Sequence, residues 1–404
     1  MGAVLVFVVA AAPVLAQPAA PPAVTTGWRD GFIVQNEGGE YRLQIGLLAQ
    51  ADARFAVQDS ADALTSTFAI RRLRPYLRGR LANRFEFYLN PDFANGTLVV
   101  QDAYVDTHFS TAFRVRVGKG KAPYGHERLH SASSLLFYER GTPTAIAPNR
   151  DIGIQVLGDI SDGILSYSAG VMNGVPDGLS ADQDTNDSKD LLGRVVVRPF
   201  NKAPETPLGG LGFALSGSTG DQRGAVALPA YRTSTIGQTF FSYTGASAEG
   251  TRKRYSPFVF YYYKAFGGFA ELGHSSVPVA KGQVRGRISH DAWQATGSYV
   301  LTGEKATDAG VRPRANFDFG NGNWGAFQVA ARYHTLTVDR EAIDLGLASE
   351  GSSREVDAWT VNVNWYLTPF FKYVLQLERF TFDGSAAGAR EAETVLAFRT
   401  QLNF

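Results

Sequence analysis

The segment GHERLHSASSLLFYERG, residues 125–141, contains the residues whose types and spacing could most readily do chemistry. Within it, His126, Glu127 and His130 match H-E-x-x-H, in which two histidines bind zinc and the glutamate acts as a general base. A zinc site needs this motif on a helix and a third protein ligand. A proline and a glycine directly precede the motif, and Glu139 is poorly placed as the third ligand. We therefore predict no metal site, and we interpret the histidines as loop residues that become cationic at mildly acid pH.

The composition of the 404 residues excludes other kinds of chemistry. There is no cysteine, so disulfides, cysteine nucleophiles and cysteine-based metal sites cannot form. The 39 basic and 38 acidic residues nearly balance, which gives no reason to expect nucleic-acid binding. No G-x-S-x-G motif occurs, and the six histidines form no evident triad with a serine. A hydrolase therefore remains an alternative without a recognisable active site, and we expect neither an enzyme nor a cofactor.

Most of the positive charge is arginine, and many arginines alternate with apolar residues. Alternation with a period of two indicates β-strands that have one apolar and one polar face. The planar guanidinium cannot be neutralised by burial and matches oxyanions well. Arg71 falls on the apolar face of its segment and would point outward unless a bulge shifts the register. The arginines on the polar faces of FAIRRLRPYLRGRL and FRVRVGKGK are Arg72, Arg74, Arg78, Arg80, Arg114 and Arg116.

The elements that must position these residues are two-faced strands, of which the sequence contains about 16, joined by alternately short and long connections. An apolar N-terminal run, ending at Ala16, resembles a signal peptide but is too short to span a bilayer as a helix. The last strand, TVLAFRTQLNF, is apolar on alternate residues and ends on Phe404, as expected of a strand read by the outer-membrane barrel assembly machinery. The sequence therefore predicts an all-β, antiparallel transmembrane barrel in the bacterial outer membrane, with polar faces around an aqueous lumen.

Ordered pieces of the chain also resemble one family, the phosphate-selective porins of the O and P type. The pieces that carry the resemblance are FAIRRLRPYLRGRL, NPDFANG, VQDAYVD, VRVGKGKAPYGHERL, LLFYERG, PNRDIGIQVLGD, GVMNGVPDG, GRVVVRPF, GSYVLTGEK, WGAFQVAARY and VNVNWYLTP. The resemblance implies a homotrimeric porin of 16 strands whose third extracellular loop folds inward to constrict the lumen. It also implies passage of small anions such as phosphate.

On this interpretation the six arginines above form an anion pathway, and Asp102 lies near its narrow point. Asp102 would either orient arginines and accept a hydrogen bond from a protonated phosphate, or simply pair with an arginine. The constriction loop, residues 119–150, would contribute Lys119, Lys121, His126, Arg128, His130, Ser131, Ser133, Ser134 and Arg140.

One departure from the family limits what the resemblance implies. Phosphate-selective members carry lysines in the constriction loop beyond its start, and residues 129–149 contain none. An anion preference is still expected, but phosphate, polyphosphate and general small anions stay open, as does a structural barrel with a plugged lumen. We expect residues 1–16 to be the signal peptide, 17–40 a Pro/Ala-rich segment and 41–404 a barrel surrounded by outer-membrane lipid.

Overall fold

The computed structural model describes residues 24–58, 65–184, 186–385 and 388–404. The predicted signal peptide, residues 1–16, and the first part of the Pro/Ala-rich segment lie outside the described residues. No helix in the described ranges is both long and apolar enough to cross a membrane.

Strands dominate the chain. The strands are β1 Val24–Trp28, β2 Phe32–Asn36, β3 Arg42–Gln58, β4 Thr67–Leu81, β5 Phe85–Asp92, β6 Val99–Ser110, β7 Phe113–Lys121, β8 Arg150–Ile160, β9 Leu165–Met172, β10 Asp190–Val197, β11 Leu211–Gly224, β12 Tyr231–Arg232, β13 Thr239–Phe241, β14 Ser247–Tyr263, β15 Phe266–Lys281, β16 Val284–Val300, β17 Ala326–Val338, β18 Glu355–Tyr366, β19 Phe371–Asp383 and β20 Glu393–Asn403. The helical pieces are one α-helical turn, α1 Glu341–Asp344, and 3₁₀ turns at Ala94–Gly96, Glu127–Leu129, Thr142–Ala145, Ala225–Ala227 and Phe319–Asn321.

Sixteen of these strands, β3–β11 and β14–β20, form a closed antiparallel barrel, as predicted. Closure occurs where β20 pairs with β3. The backbones of Leu47 and Phe404 exchange two hydrogen bonds of 2.9 and 3.0 Å there. The β1–β2 hairpin continues this seam, because Phe32 pairs with Ile45 just beyond the end of β20. The barrel thus has no open edge at its seam.

The side chains alternate between the two faces of the wall. On β4, Leu73 is 38% exposed on the outside, whereas its neighbours Arg72 and Arg74 are 3% and 8% exposed. The alternation is interrupted at Arg71, because Ala51 of β3 pairs with Ile70 and Gln50 pairs with Arg72. Arg71 is therefore an extra residue, a β-bulge, and its side chain turns inward to contact Glu139. Arg71 was expected to point outward unless a bulge shifted the register. The structure contains this bulge, and Arg71 points inward.

The connections differ between the two ends of the barrel. The end that holds Trp28 and Phe404, here the terminal end, has short connections at residues 82–84, 111–112, 161–164, 264–265 and 367–370. The opposite end, the loop end, has longer ones. The predicted alternation of short and long connections is wrong at three places, namely the long terminal-end connections 198–210 and 301–325 and the two-residue loop-end turn 282–283.

One side of the lumen is filled by a plug segment, residues 225–246, which connects β11 to β14. Phe240 and Phe241 of this segment are buried against the inner face of β14–β20, in an apolar cluster that includes Phe380. Ile146, from the connection between β7 and β8, belongs to the same cluster. Dry apolar packing inside a barrel excludes water as a protein core does. The open part of the lumen therefore lies off centre, beside β3–β9.

Candidate functional site

The connection between β7 and β8, residues 122–149, folds into the lumen and crosses it, as the fold prediction required. We keep the name constriction loop for residues 122–149, because the other residues of the expected range 119–150 belong to β7 and β8. Gln50 of β3 donates to the carbonyl of Ala132 at 3.1 Å, and Gln376 of β19 accepts from the amide of Tyr138 at 2.8 Å. Further along, the hydroxyl of Thr142 donates to a carbonyl of β17 at 2.7 Å. The loop is thus fixed to several parts of the barrel wall.

One cavity lies on each side of the constriction loop. The cavity toward the terminal end measures about 480 Å³, and the cavity toward the loop end measures about 460 Å³. Arg74 of β4 and Arg150 of β8 line both cavities. These two side chains therefore lie between the cavities, at a position from which each can contact an ion in either one.

Carboxylates hold both of these guanidiniums in place. Arg74 donates to Asp92 at 2.7 Å. Arg150 binds both oxygens of Asp102, at 3.0 and 3.2 Å, and Asp102 also accepts from Asn90 at 2.8 Å. Two-point binding fixes the plane of a guanidinium. Of the two roles expected for Asp102, this contact shows the pair with an arginine, and the contact with phosphate stays a prediction.

Glu139 of the constriction loop is the centre of a second cluster. It accepts from Arg71 at 2.9 Å, from Arg72 at 2.8 Å and from Arg399 of β20 at 3.0 Å. Burial alone would raise the pKa of Glu139, but the three guanidiniums lower it well below its usual range. Glu139 is therefore ionised, and it joins the loop to both sides of the seam.

The remaining predicted arginines lie toward the terminal end. Arg116 is paired with Asp106 at 2.7 Å, and Arg114 with Asp159 at 3.3 Å. Arg80 contacts Glu86 at 2.8 Å, with nearly half of its side chain exposed. Arg78 has no ion-pair partner among the residues described, and its guanidinium lies 5.3 Å from the ring centre of Tyr88. The structure thus places Arg80 and Arg114 at the mouth, away from the constriction.

The cations of the predicted constriction are held mainly by backbone carbonyls. Lys121 donates to the carbonyls of Leu129 and His130, at 3.0 and 2.6 Å. Arg140 donates to the same His130 carbonyl at 2.7 Å and to that of Glu127 at 3.1 Å. Arg128 binds the carbonyl of Thr144, and Lys119 pairs with Asp182. In the described chain, Arg128 and Arg140 have no carboxylate within ion-pair distance, so their charge is not cancelled locally.

Two of the three predicted serines line the terminal-end cavity. Ser131 and Ser133 line the terminal-end cavity, with their hydroxyl oxygens 2.8 Å apart. Ser134 donates to the carbonyl of Ser131 at 3.2 Å, which caps the local turn. The hydroxyls of Ser131 and Ser133 are therefore the ones positioned to replace part of an anion's water shell.

The H-E-x-x-H residues anchor the loop. His126 lies among Phe258, Phe260 and Phe269, with ring centres 4.9, 5.3 and 4.8 Å away. Glu127 accepts from Gln294 at 3.0 Å and from the amide of Gly141 at 2.8 Å. Within the described residues, no group of three histidine, cysteine or acidic side chains could hold a metal ion.

The expectation that these histidines become cationic at mildly acid pH is wrong. Burial lowers the pKa of His126 well below its usual range, and His130 adds to the effect. Burial, followed by Arg140 and Lys121, lowers the pKa of His130 to about 3. Both side chains are therefore neutral in the folded protein at pH 5.

A stability measurement tests this assignment. The unfolded chain takes up a proton at each histidine near pH 6.5, whereas folded His130 does so only near pH 3. The histidine contribution to stability is therefore complete above pH 6.5 and is lost as the pH falls toward 3. We expect His130→Gln to reduce the loss of unfolding free energy between pH 7.5 and 5, measured by urea titration in detergent. His274→Gln, on the outer wall, is the matched control, and equal losses in wild type and His130→Gln would contradict the assignment.

Sequence reasoning missed Arg150 and Arg232, and it gave Arg71 an inward orientation only if a bulge was present. Arg150 opposes Lys121 across β7 and β8, a pairing that the sequence does not reveal. Arg232 lines the loop-end cavity from the plug segment, whose inward fold has no period-two pattern. The sequence feature that indicated a bulge at Arg71 was the pair of adjacent arginines. In a strictly alternating strand, one of the two would face lipid.

Comparisons with known proteins agree with this architecture. The family profile described as phosphate-selective porin O and P matches residues 43–404. No match is found among curated protein sequences. The fold is similar to an anion-selective porin from Comamonas acidovorans, with a TM-score of 0.59 and 13% identity over 90% of this chain and 100% of that one. It is also similar to the outer-membrane channel DcaP of Acinetobacter baumannii (TM-score 0.58, 10% identity, 93% and 99% covered) and to the trimer form of OmpT of Vibrio cholerae (0.55, 10%, 90% and 99%).

At these identities the structural likeness shows the fold, and the family follows from the sequence profile. That profile covers the barrel from the second residue of β3 to the end of β20. It includes the constriction loop and both cavities. This chain belongs to the phosphate-selective porin O and P family and is an outer-membrane porin.

Proposed function

We propose that this porin is a passive, non-enzymatic channel for small anions, phosphate or related oxyanions among them. The observation that carries the proposal is the position of Arg74 and Arg150, which line both cavities. Each is fixed by a carboxylate, so it is oriented before an ion arrives. The nearby cations Arg78, Arg128 and Arg140 add positive charge, and among the described residues no carboxylate pairs with them.

A cationic constriction between low-dielectric walls concentrates anions and excludes cations. Conduction also requires that no single site bind too tightly. The guanidiniums of Arg72, Arg74 and Arg150 offer successive stations, and their carboxylate partners weaken each one. An anion can therefore exchange one guanidinium for the next without losing all of its partners.

Two observations support phosphate as a permeating ion. The chain belongs to a family described as phosphate-selective, and the planar guanidinium of arginine matches the geometry of an oxyanion. The absence of lysine from residues 129–149 argues for a weaker preference than a lysine-containing loop would give. We propose that oxyanions are preferred over chloride because guanidiniums bind them at two points.

Recording from purified protein in planar bilayers tests the proposal. In a KCl gradient we expect an anion-selective reversal potential, with chloride current reduced by added phosphate. Arg78→Gln removes a lumen charge that has no carboxylate partner among the described residues, so it should lower the anion-to-cation permeability ratio. Arg340→Gln, in an exposed ion pair at the loop end, is the control, because charges beyond about 10 Å are screened at 0.1 M salt. A cation-selective wild-type pore would contradict the proposal.

A structural barrel without conduction is the second candidate, and the plug segment is the observation that favours it. Wild-type protein that inserts but carries no current would support that candidate.

We further propose that the protein is a homotrimer surrounded by outer-membrane lipid. The Vibrio cholerae neighbour, whose structure is described as a trimer, supports this assembly. We also propose that the barrel assembly machinery reads the strand ending at Phe404. A single monomer band after cross-linking in membranes would contradict the trimer.

A further inference from the structure

Three tyrosines of neighbouring strands form a row on the wall of the terminal-end cavity. Tyr76, Tyr88 and Tyr104 belong to β4, β5 and β6, and all three line this cavity. The ring centres of Tyr76 and Tyr88 are 5.8 Å apart, and those of Tyr88 and Tyr104 are 5.7 Å apart. Tyr88 and Tyr104 are direct partners across the two strands. We call these three residues the tyrosine row.

Glycines in the flanking strands let the outer two rings lie close to the wall. A Cβ on Gly46 of β3 would lie 2.1 Å from the ring carbon Cζ of Tyr76, which no side chain could tolerate. A Cβ on Gly120 of β7 would lie 3.3 Å from the ring of Tyr104. The hydroxyl of Tyr76 donates to the carbonyl of Phe404 at 2.9 Å, which fixes the ring. The tyrosine row is thus an aromatic surface that is fixed in place and packs against glycines of the neighbouring strands.

Two guanidiniums lie over this surface. Arg116 is 3.8 Å from the ring centre of Tyr104 and is held there by both oxygens of Asp106, at 2.7 and 2.8 Å. Arg78 lies 5.3 Å from the ring centre of Tyr88. Within the described residues Arg78 has no ion-pair partner, so its charge is available to a ligand. An aromatic surface and an uncompensated cation therefore face the same space.

Phosphate does not use such a surface. It is compact and strongly hydrated and has no apolar face, so it gains from guanidiniums but not from rings. A planar aromatic carboxylate would use both parts, because its ring can stack on tyrosine and its carboxylate can bind a guanidinium at two points. The spacing of the rings across three strands extends this surface along the wall, so the ligand need not stop at one position.

We propose that the tyrosine row with Arg78 is a binding site for planar aromatic carboxylates on the way through the pore, an inference that rests on the proposed anion channel. The carboxylate binds Arg78, and the ring stacks on Tyr88 and meets Tyr76 at an angle, since the planes of the two tyrosines are tilted by 51°. The site shares the terminal-end cavity with Arg74 and Arg150, the residues proposed to bind small oxyanions.

Block of the chloride current by organic anions in planar bilayers tests the site. The probes are benzoate, the similarly sized but non-planar cyclohexanecarboxylate, and the sugar acid glucuronate. We expect benzoate to block at a concentration about fivefold to tenfold lower than cyclohexanecarboxylate, as ring stacking implies. Tyr88→Leu should abolish this difference, whereas Tyr88→Phe, which keeps the ring, should retain it. Heat-modifiable mobility, the difference in gel migration between unboiled and boiled samples, reports whether each variant has folded.

The outcomes separate this site from the proposed function. The reversal potential in the same bilayers tests anion selectivity without reference to the tyrosines. Equal block by benzoate and cyclohexanecarboxylate in an anion-selective wild-type pore would overturn the site and leave the anion channel intact. Benzoate preference that survives Tyr88→Leu would also overturn it. Equal block by glucuronate and benzoate would overturn the aromatic specificity in favour of sugar acids, and a cation-selective pore would overturn both proposals.

Discussion

Replacing Glu139 by glutamine is expected to destabilise the folded barrel by about 3–5 kcal/mol, the usual cost of removing one partner from a buried ionic group. Glu139 is the shared partner of Arg71, Arg72 and Arg399 inside the lumen. Glutamine keeps the shape and one carbonyl acceptor but loses the negative charge. The three guanidiniums would then repel each other, and of the carboxylates in the described residues only Asp52, which binds Arg399 at 2.7 Å, would be left to offset them. The measurement is the unfolding free energy in urea.

The matched control is Glu249→Gln, which breaks an exposed glutamate–arginine pair. Both side chains of that pair, Glu249 and Arg285, are at least half exposed, so a change of about 0–1 kcal/mol is expected. Because Glu139 holds the constriction loop to the seam, Glu139→Gln should also increase fluctuations of the open-channel current. Equal stabilities of Glu139→Gln and wild type would show that the cluster does not hold the loop.

Shortening the plug segment is expected to raise single-channel conductance by about twofold or more, because hydrophobic filling of a pore excludes water and ions. Replacing residues 229–241 with a short Gly/Ser linker removes Tyr231, Phe240 and Phe241 from the lumen. It also removes the contact of Thr235 with Glu378 and the ring packing of Phe240 on Phe382. The inner face of β14–β20 would then meet water, so a lower unfolding free energy should accompany the larger current.

The control for this change is a deletion of similar kind at the opposite end. Residues 202–207 are exposed in the terminal-end connection between β10 and β11. Removing them should leave the conductance unchanged, because they do not line the lumen. Unaltered conductance in the shortened plug variant would mean that ions are limited by the constriction near Arg74 and Arg150 alone.

The barrel was readable from the sequence because its main signal is local. The alternation of apolar and polar residues in β4 and β20 involves only neighbouring residues. It correctly predicted that Arg72 faces inward and Leu73 faces outward. The inward fold of the constriction loop was predicted from the resemblance of the segment that contains Lys121 to the porin family. These features do not depend on which distant residues meet.

The organisation of charge was not readable, because it depends on distant pairs. Glu139 and Arg399 are 260 residues apart, and nothing in either segment points to the other. The expected run of arginines is therefore partly paired, with Arg78, Arg128 and Arg140 the candidates that have no carboxylate partner among the described residues. The burial of His126 was likewise unpredictable, since Phe258, Phe260 and Phe269 come from strands far along the chain.

The bulge at Arg71 determines which length changes β4 can accept. Ile70 faces outward before the bulge and Leu73 faces outward after it, so the extra residue joins two halves of opposite phase. Deleting Arg71 would leave Ile70 and Arg72 as consecutive residues of an ordinary ladder, with both halves still correctly faced. Deleting a residue elsewhere in the strand would instead turn one half inside out and send Phe68 or Leu73 into the water. A single-codon loss at this position is therefore tolerable for the barrel wall, and its cost is confined to the contact with Glu139.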